Sequence, residues 1–110
     1  MSQLADWFRV RFDGWGVTRD VSPPGEKPWV DAFAWADVVR VCFKSGEYPD
    51  PDEYYVFTAL RAESFVSPMG AAGSPEFADE LYRRGLFPAD KAIEAMMTEG
   101  TLVCWPQDGD

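Results

Sequence analysis

Apolar residues alternate with polar ones over most of the first two-thirds of the chain, and this pattern favours short antiparallel strands. Residues 7–12 combine Trp, Phe and Val with two interleaved arginines, which is typical of a half-buried strand. Asp13-Gly14 predicts a hairpin turn into a second strand at residues 15–19. The shared parity of the large side chains predicts a third strand at residues 29–35, and a β-branched run predicts a core strand at 38–43. Another strand is predicted at 54–60, with a turn at 62–64.

The pattern changes to helical after Gly73. Ser74 is predicted as an N-cap, with Pro75 in the first helical position and Gly85 ending the helix. A second helix is predicted from Pro88 to Thr98, with four apolar side chains facing inward: Ala92, Ile93, Met96 and Met97. Leu102–Trp105 is predicted as a closing strand. The fold class expected is therefore α+β, a curved antiparallel sheet followed by two helices and a closing strand, in a single domain over residues 1–110.

The aromatic content predicts one well-filled core. The 110 residues include five Trp, eight Phe and four Tyr, and each buried aromatic encloses about 150–250 Å². The tryptophans are predicted to lie mostly in the core, the alternative being that Trp7, Trp15 or Trp29 lines an exposed patch near the edge of the sheet. Cys42 and Cys104 lie in apolar stretches and match no metal or redox spacing, so they are interpreted as reduced thiols rather than a disulfide. With no signal-peptide pattern at the start, this interpretation predicts a cytoplasmic protein.

The absence of histidine narrows the possible chemistry. It removes Ser–His and Cys–His nucleophile pairs, histidine bases and histidine metal ligands. A catalytic carboxylate pair stays possible, but nineteen acidic residues would place some pair at a suitable separation by chance. We therefore predict a protein that is not an enzyme, with no cofactor and no metal site.

Net charge and one loop indicate a class of partner. The formal charge of −9 disfavours binding to nucleic acid and to anionic membranes and favours a basic protein partner. The loop at residues 45–53 concentrates acidic side chains and contains two prolines that stiffen it. A stiff acidic loop can receive Arg or Lys side chains with little ordering cost. The predicted partner-binding residues are Glu47, Tyr48, Asp50, Asp52 and Glu53. The alternative is a solvated connection between two strands.

Three segments resemble a family of small bacterial proteins, most of them uncharacterised. The three segments are Phe12-Asp13-Gly14, the stretch from Trp35 to Val41, and Val103-Cys104-Trp105. The resemblance covers most of the chain and implies a pleckstrin-homology-like sheet with appended helices. Several small acidic proteins of this kind resemble immunity proteins, which implies neutralisation of a toxin. The motifs are packing motifs, so no functional residue is carried over.

A second function is left open by the residues before the acidic part of the chain. Residues 1–28 contain Arg9, Arg11, Arg19 and Lys27 and carry no net charge. A basic pocket there would suit a small-ligand or lipid-headgroup binding module. The two hypotheses therefore differ in whether the acidic loop or the basic N-terminal stretch forms the site.

Overall fold

The computed structural model describes residues 3–47 and 49–106 and shows an α+β fold with two antiparallel sheets. The three-stranded sheet has the order β1-β2-β3 and consists of β1 (Phe8–Phe12), β2 (Gly16–Val21) and β3 (Trp29–Ala34). The four-stranded sheet has the order β6-β5-β4-β7 and consists of β4 (Val38–Lys44), β5 (Glu53–Thr58), β6 (Arg61–Pro68) and β7 (Leu102–Trp105). The helices are α1 (Leu4–Trp7), α2 (Ser74–Arg83) and α3 (Ala89–Met96), and a 3-10 turn at Trp35–Asp37 joins β3 to β4.

The α+β class, the antiparallel pairing and the closing strand after two helices are confirmed, with two differences. The strands divide into two sheets, and α1 precedes the first strand, so the helices do not simply follow the sheet. Trp7 was predicted in a strand and ends α1 instead. Within the described ranges, no helix is long and apolar enough to cross a bilayer.

The predicted hairpin at Asp13-Gly14 is confirmed. An Asp13 carboxylate oxygen accepts the backbone N–H groups of Trp15 at 2.9 Å and Gly16 at 3.1 Å. These bonds, that from Gly16 above all, lower the pKa of Asp13.

The β5–β6 turn was placed too late in the sequence, because β5 ends at Thr58 and β6 begins at Arg61. The Arg61 guanidinium lies 3.6 Å from the centre of the Phe65 ring, within the strand.

Helix α2 begins one residue earlier than its sequence signal suggested. Gly73 is the N-cap, with φ of +84°, and Ser74 is the first helical residue. The Ser74 hydroxyl is fully buried and donates to the carbonyl of Pro68 at 2.7 Å. A Cβ at Gly73 would lie 2.0 Å from the carbonyl oxygen of Val10. Glycine therefore permits both the left-handed backbone and the close approach of α2 to β1.

Helix α3 presents a different face to the core from the one predicted. Ala92 and Ala95 are buried, whereas Ile93, Met96 and Met97 are exposed. The two alanines are three residues apart and lie on one side of the helix. Their small side chains allow a close approach to the sheet, so the larger side chains turn outward and the predicted inward face is wrong for three of its four members.

The tryptophans are mostly outside the core, contrary to expectation. Only Trp35 is buried among the five, all of which lie in the described part of the chain. Its ring stacks on Phe77 with centroids 6.2 Å apart, and its indole N–H donates to the carbonyl of Asp13 at 2.8 Å. The Arg84 guanidinium covers the same ring at 4.2 Å. Trp35 therefore contacts both the β1–β2 hairpin, through Asp13, and α2, through Phe77, and so links these two elements.

Arg19, which forms an ion pair within the three-stranded sheet, also links it to the four-stranded sheet. Arg19 and Asp31 are direct partners in the β2–β3 register and form two hydrogen bonds of 2.8 and 2.5 Å. Arg19 also donates to the carbonyl of Val66 in β6 at 3.0 Å, and its guanidinium lies between the rings of Trp29 and Phe65 at 4.9 and 5.1 Å. Its side chain is only 9% exposed. Each nitrogen of the guanidinium thus donates a hydrogen bond although the group lies inside the molecule.

The interpretation of Cys42 and Cys104 as reduced thiols is wrong. They are opposite residues on β4 and β7, with Cα atoms 4.0 Å apart, and they form a disulfide. The bond lies on the outer face of the four-stranded sheet, because Val41 and Phe43 on either side of Cys42 face the core. Two cysteines that are 62 residues apart meet because β7 returns to pair with β4.

Candidate interaction surface

The acidic loop between β4 and β5 is fastened at its start by Ser45. The Ser45 hydroxyl donates to the carbonyl of Thr98 at 2.6 Å and accepts the N–H of Thr101 at 2.9 Å. Its backbone N–H donates to the carbonyl of Thr101 at 2.9 Å. Ser45 is buried, so these bonds are shielded from water. They tie the loop to the connection between α3 and β7.

Two of the predicted partner-binding residues are engaged at the end of the loop. Asp52 accepts the backbone N–H of Gly46 at 2.7 Å through its side chain and the N–H of Met69 at 2.8 Å through its carbonyl. Glu53 accepts the hydroxyl of Tyr55 at 2.7 Å. The side chain of Asp52 therefore links the end of the loop to its start, and the side chain of Glu53 is bonded to Tyr55, two residues further along β5.

Three of the predicted residues lie together in one depression. Its volume is about 220 Å³, and we call it the acidic depression, lined by Lys44, Gly46, Glu47, Asp50, Pro51 and Glu53. Asp52 does not line it, and Tyr48 lies outside the described residues. Lys44 is the single cation in its lining, so the three carboxylates leave the depression negative. Within residues 3–47 and 49–106, no three Asp, Glu, Cys or His side chains are arranged to hold a metal ion.

A second surface was missed by the sequence analysis. It is an open groove of about 630 Å³ on the outer face of the four-stranded sheet. We call it the apolar groove, lined by Val39, Arg40, Cys42, Lys44, Tyr55, Phe57, Leu102 and Cys104. A partial signal was present in β5, which carries Tyr54 on its buried face and Tyr55 and Phe57 on its outer face. Strands of that kind are usually covered on both sides, whereas here the outer face is open.

The acidic depression and the apolar groove form one continuous surface. Lys44 lines both, and it is the direct partner of Glu53 in the β4–β5 register. Tyr55 lines the groove and donates its hydroxyl to Glu53, which lines the depression. We call the two together the composite surface. It combines an apolar floor with a negative end, an arrangement that suits contact with another macromolecule.

The basic N-terminal residues are not gathered into one pocket. Arg19 is on the inner face of its sheet, bonded to Asp31, whereas Arg9 and Arg11 are exposed. Arg11 lies 3.8 Å from Asp20. Arg9 lines a depression of about 180 Å³ together with Asp6 and Asp20, and Asp20 is its direct partner in the β1–β2 register. Each of these arginines thus has a carboxylate close to it.

The largest pKa shifts in the structure move the pKa values of three side chains further from pH 7. Burial raises the pKa of Tyr54 far above its usual value, aided by a hydrogen bond with Tyr82. Burial and the bond to Glu53 raise the pKa of Tyr55 to about 12. Hydrogen bonds from Arg83 and Arg84 lower the pKa of Glu80 to about 2. General acid–base catalysis works best with a pKa near the working pH. The shifts of these three side chains instead increase the distance between pKa and pH 7.

Fold and site together define a small acidic α+β protein with an open, partly apolar and partly anionic surface. Comparison with protein-family models, with curated proteins and with solved structures finds no match for the chain. The resemblance to pleckstrin-homology-like, immunity-type proteins therefore rests on the sequence motifs.

Proposed function

We propose that this protein is a non-catalytic binding protein of the immunity type, which neutralises a basic toxin or effector by direct contact. The observation that carries the proposal is the acidic depression, where Glu47, Asp50 and Glu53 are held together on a fastened loop. We include in the proposal the pleckstrin-homology-like fold that the sequence motifs imply. Two antiparallel sheets with helices are compatible with it.

The physical basis is electrostatic complementarity to a preformed site. Arg and Lys side chains of a partner form charge-assisted hydrogen bonds with carboxylates, which are stronger than neutral ones. Because Ser45 and Asp52 fix both ends of the loop, less conformational entropy is lost when the partner binds. The net charge of −9 also speeds the encounter with a cationic protein. A toxin that acts on nucleic acid needs a cationic surface, and this is the surface that an acidic inhibitor can cover.

Co-purification from the source cells at low salt, followed by identification of the bound protein, tests the proposal. The informative variant is Glu47→Lys/Asp50→Lys, which reverses two exposed charges of the acidic depression. The matched control is Glu26→Lys/Glu63→Lys, which makes the same change in net charge at exposed positions elsewhere.

We expect the depression variant to weaken binding by about tenfold or more and the control by less than about threefold, because charge pairs in direct contact exceed long-range effects. Cells that express the depression variant should also lose protection against the partner's toxicity. Equal losses for both variants would show a non-specific field effect and contradict the proposed site. Isolation of a neutral or acidic partner alone would contradict the proposed partner class.

The cytoplasm is the proposed place of action, and the disulfide weighs against it. Cytoplasmic thiols are kept reduced, so structural disulfides are rare there. Alkylation of free thiols in intact cells, before lysis, separates the two possibilities. Modification of both Cys42 and Cys104 supports the cytoplasm, whereas protection of both indicates an oxidising compartment.

A further inference from the structure

We infer that the basic partner contacts the composite surface through an amphipathic segment, with apolar side chains in the apolar groove and an adjacent Lys or Arg in the acidic depression. The inference rests on the proposed function for the sign of the partner's charge. It adds the groove as the apolar half of the interface and fixes the direction in which the segment lies.

The groove supplies contact area that the protein itself does not cover. Val39 in β4 and Leu102 in the edge strand β7 are 55% and 59% exposed. Tyr55 and Phe57 lie beside them on the same face and are half-buried. A volume of about 630 Å³ falls within the usual range for ligand sites, about 300–1,000 Å³. Contiguous exposed apolar surface on a highly charged protein marks an interaction site.

The acidic depression adjoins one end of the groove, and this determines the orientation of the segment. At that end, Lys44 lines both the groove and the depression, which is also lined by Glu47, Asp50 and Glu53. At the other end lies Arg40, four residues away on the same face of β4, which corresponds to about 13 Å along a strand. A cationic group is therefore favoured at the Lys44 end, and the apolar part of the segment extends toward Arg40.

The spacing required of the partner follows from strand geometry. In an extended segment, side chains at i and i+2 point to the same side and are about 7 Å apart. The step from Lys44 to Cys42 on β4 has the same length, and it spans the junction between depression and groove. A partner sequence with a basic residue followed at alternate positions by apolar residues satisfies both halves of the surface.

Three synthetic peptides, each with a fluorescent label, test the inference by fluorescence anisotropy on the intact, oxidised protein. The first, KSKSLSFSL, carries both the charge and the apolar side chains. The second, KSKSSSSSS, keeps the charge alone. The third, ESESLSFSL, keeps the apolar side chains and reverses the charge. We expect the first peptide to bind about tenfold or more tightly than either of the others, since both halves contribute to contact.

Two protein variants assign the binding to the groove. Leu102→Lys places a charge in the groove, whereas the control Leu60→Lys makes the same change at a side chain that is 77% exposed and does not line it. Both positions are exposed, so the fold should persist, which thermal unfolding checks. We expect Leu102→Lys to weaken the first peptide by about tenfold and Leu60→Lys by less than about threefold, in line with loss of a buried contact at an interface.

Four results would overturn the inference. Equal affinity for the first two peptides would show that charge acts without the groove, and the proposed function would survive. Tighter binding of the third peptide would indicate an anionic amphiphile as the occupant. Dimerisation in sedimentation analysis that Leu102→Lys abolishes would indicate a second copy of the chain. Binding of none of the peptides would also contradict the inference. If the proposed function is wrong but the inference is right, the first peptide will bind in a way that Leu102→Lys weakens, while no basic protein co-purifies from cells.

Discussion

Removing the Cys42–Cys104 disulfide should lower the free energy of unfolding substantially while leaving the native fold intact. The bond connects residues that are 62 positions apart. Cross-linking restricts the unfolded chain, and the chain-entropy relation gives about 3 kcal/mol for a 15-residue loop and about 4.7 kcal/mol for a 100-residue loop. The expected loss is therefore about 4 kcal/mol for this loop. A typical domain is stable by about 5–15 kcal/mol, so the reduced protein should still fold at 25 °C.

Equilibrium unfolding in urea, followed by tryptophan fluorescence, measures this difference. The oxidised protein, the protein in a dithiol reductant, and the variant Cys42→Ala/Cys104→Ala are compared under the same conditions. The reduced protein and the double variant should agree with each other. Reductant should leave the double variant unchanged, which controls for effects of the reductant that do not involve the disulfide.

The reasoning would be refuted by a stability difference below about 1 kcal/mol between oxidised and reduced protein, because loop entropy predicts several times that. It would also be refuted by a mass measurement that finds two free thiols in protein purified without reductant. A change in the urea dependence without a change in midpoint would indicate an effect on the compactness of the unfolded state instead.

Three further predictions concern single residues. Asp31→Ala leaves the nearly buried charge of Arg19 without its partner and should cost about 3 kcal/mol in chemical unfolding. Glu80 has a folded-state pKa lowered to about 2 from 4.5, so its contribution to stability is present above pH 4.5 and lost between 4.5 and 2; Glu80→Gln should make thermal stability less dependent on pH in that window. Gly73→Ala places a Cβ 2.0 Å from a backbone oxygen and should destabilise by more than about 2 kcal/mol, whereas Gly85→Ala has a positive φ but open space and should cost only about 1 kcal/mol.

Local sequence patterns predicted most of the strands and both longer helices because their causes are local. Alternation of apolar and polar residues placed β1, β2 and β3, and the Asp13-Gly14 signal placed the first hairpin. Errors concentrated where a distant part of the chain decides. Ser74 has an N-capping side chain, but its hydroxyl is used by the carbonyl of Pro68 instead, and Gly73 takes the cap position.

The inward ion pair illustrates information that the sequence contains but that needs the register to interpret. Arg19 shares its parity with Val17, and Asp31 shares its parity with Phe33, so both charges lie on apolar faces. Only the pairing of β2 with β3 shows that the two are opposite each other. From the sequence alone, Arg19 and Asp31 are two charged residues at inward positions, which is unfavourable. The register of the sheet shows that they neutralise each other as one hydrogen-bonded ion pair.

The acidic half of the candidate surface could be predicted, and the apolar half could not. Charged residues between two strands are exposed for local reasons, so Glu47 and Asp50 could be identified from the loop alone. Residues such as Phe57 and Leu102 have outward parity only relative to a sheet whose covering elements are known. Because both α2 and α3 contribute buried residues to the central core, the outer face of the four-stranded sheet stays open.

The two halves of the composite surface depend on the same edge strand. Among the strands that the structure describes, β7 pairs with β4 alone, and it carries Leu102 and Cys104 of the apolar groove. Just before it, Thr101 bonds to Ser45 and so fastens the acidic loop. An edge strand of four residues has few hydrogen bonds to hold it, and the disulfide adds a covalent link at its centre. The bond therefore holds in place both the apolar floor and the anchor of the anionic end, which explains why a small chain places its disulfide on the outer face of the sheet rather than in the core.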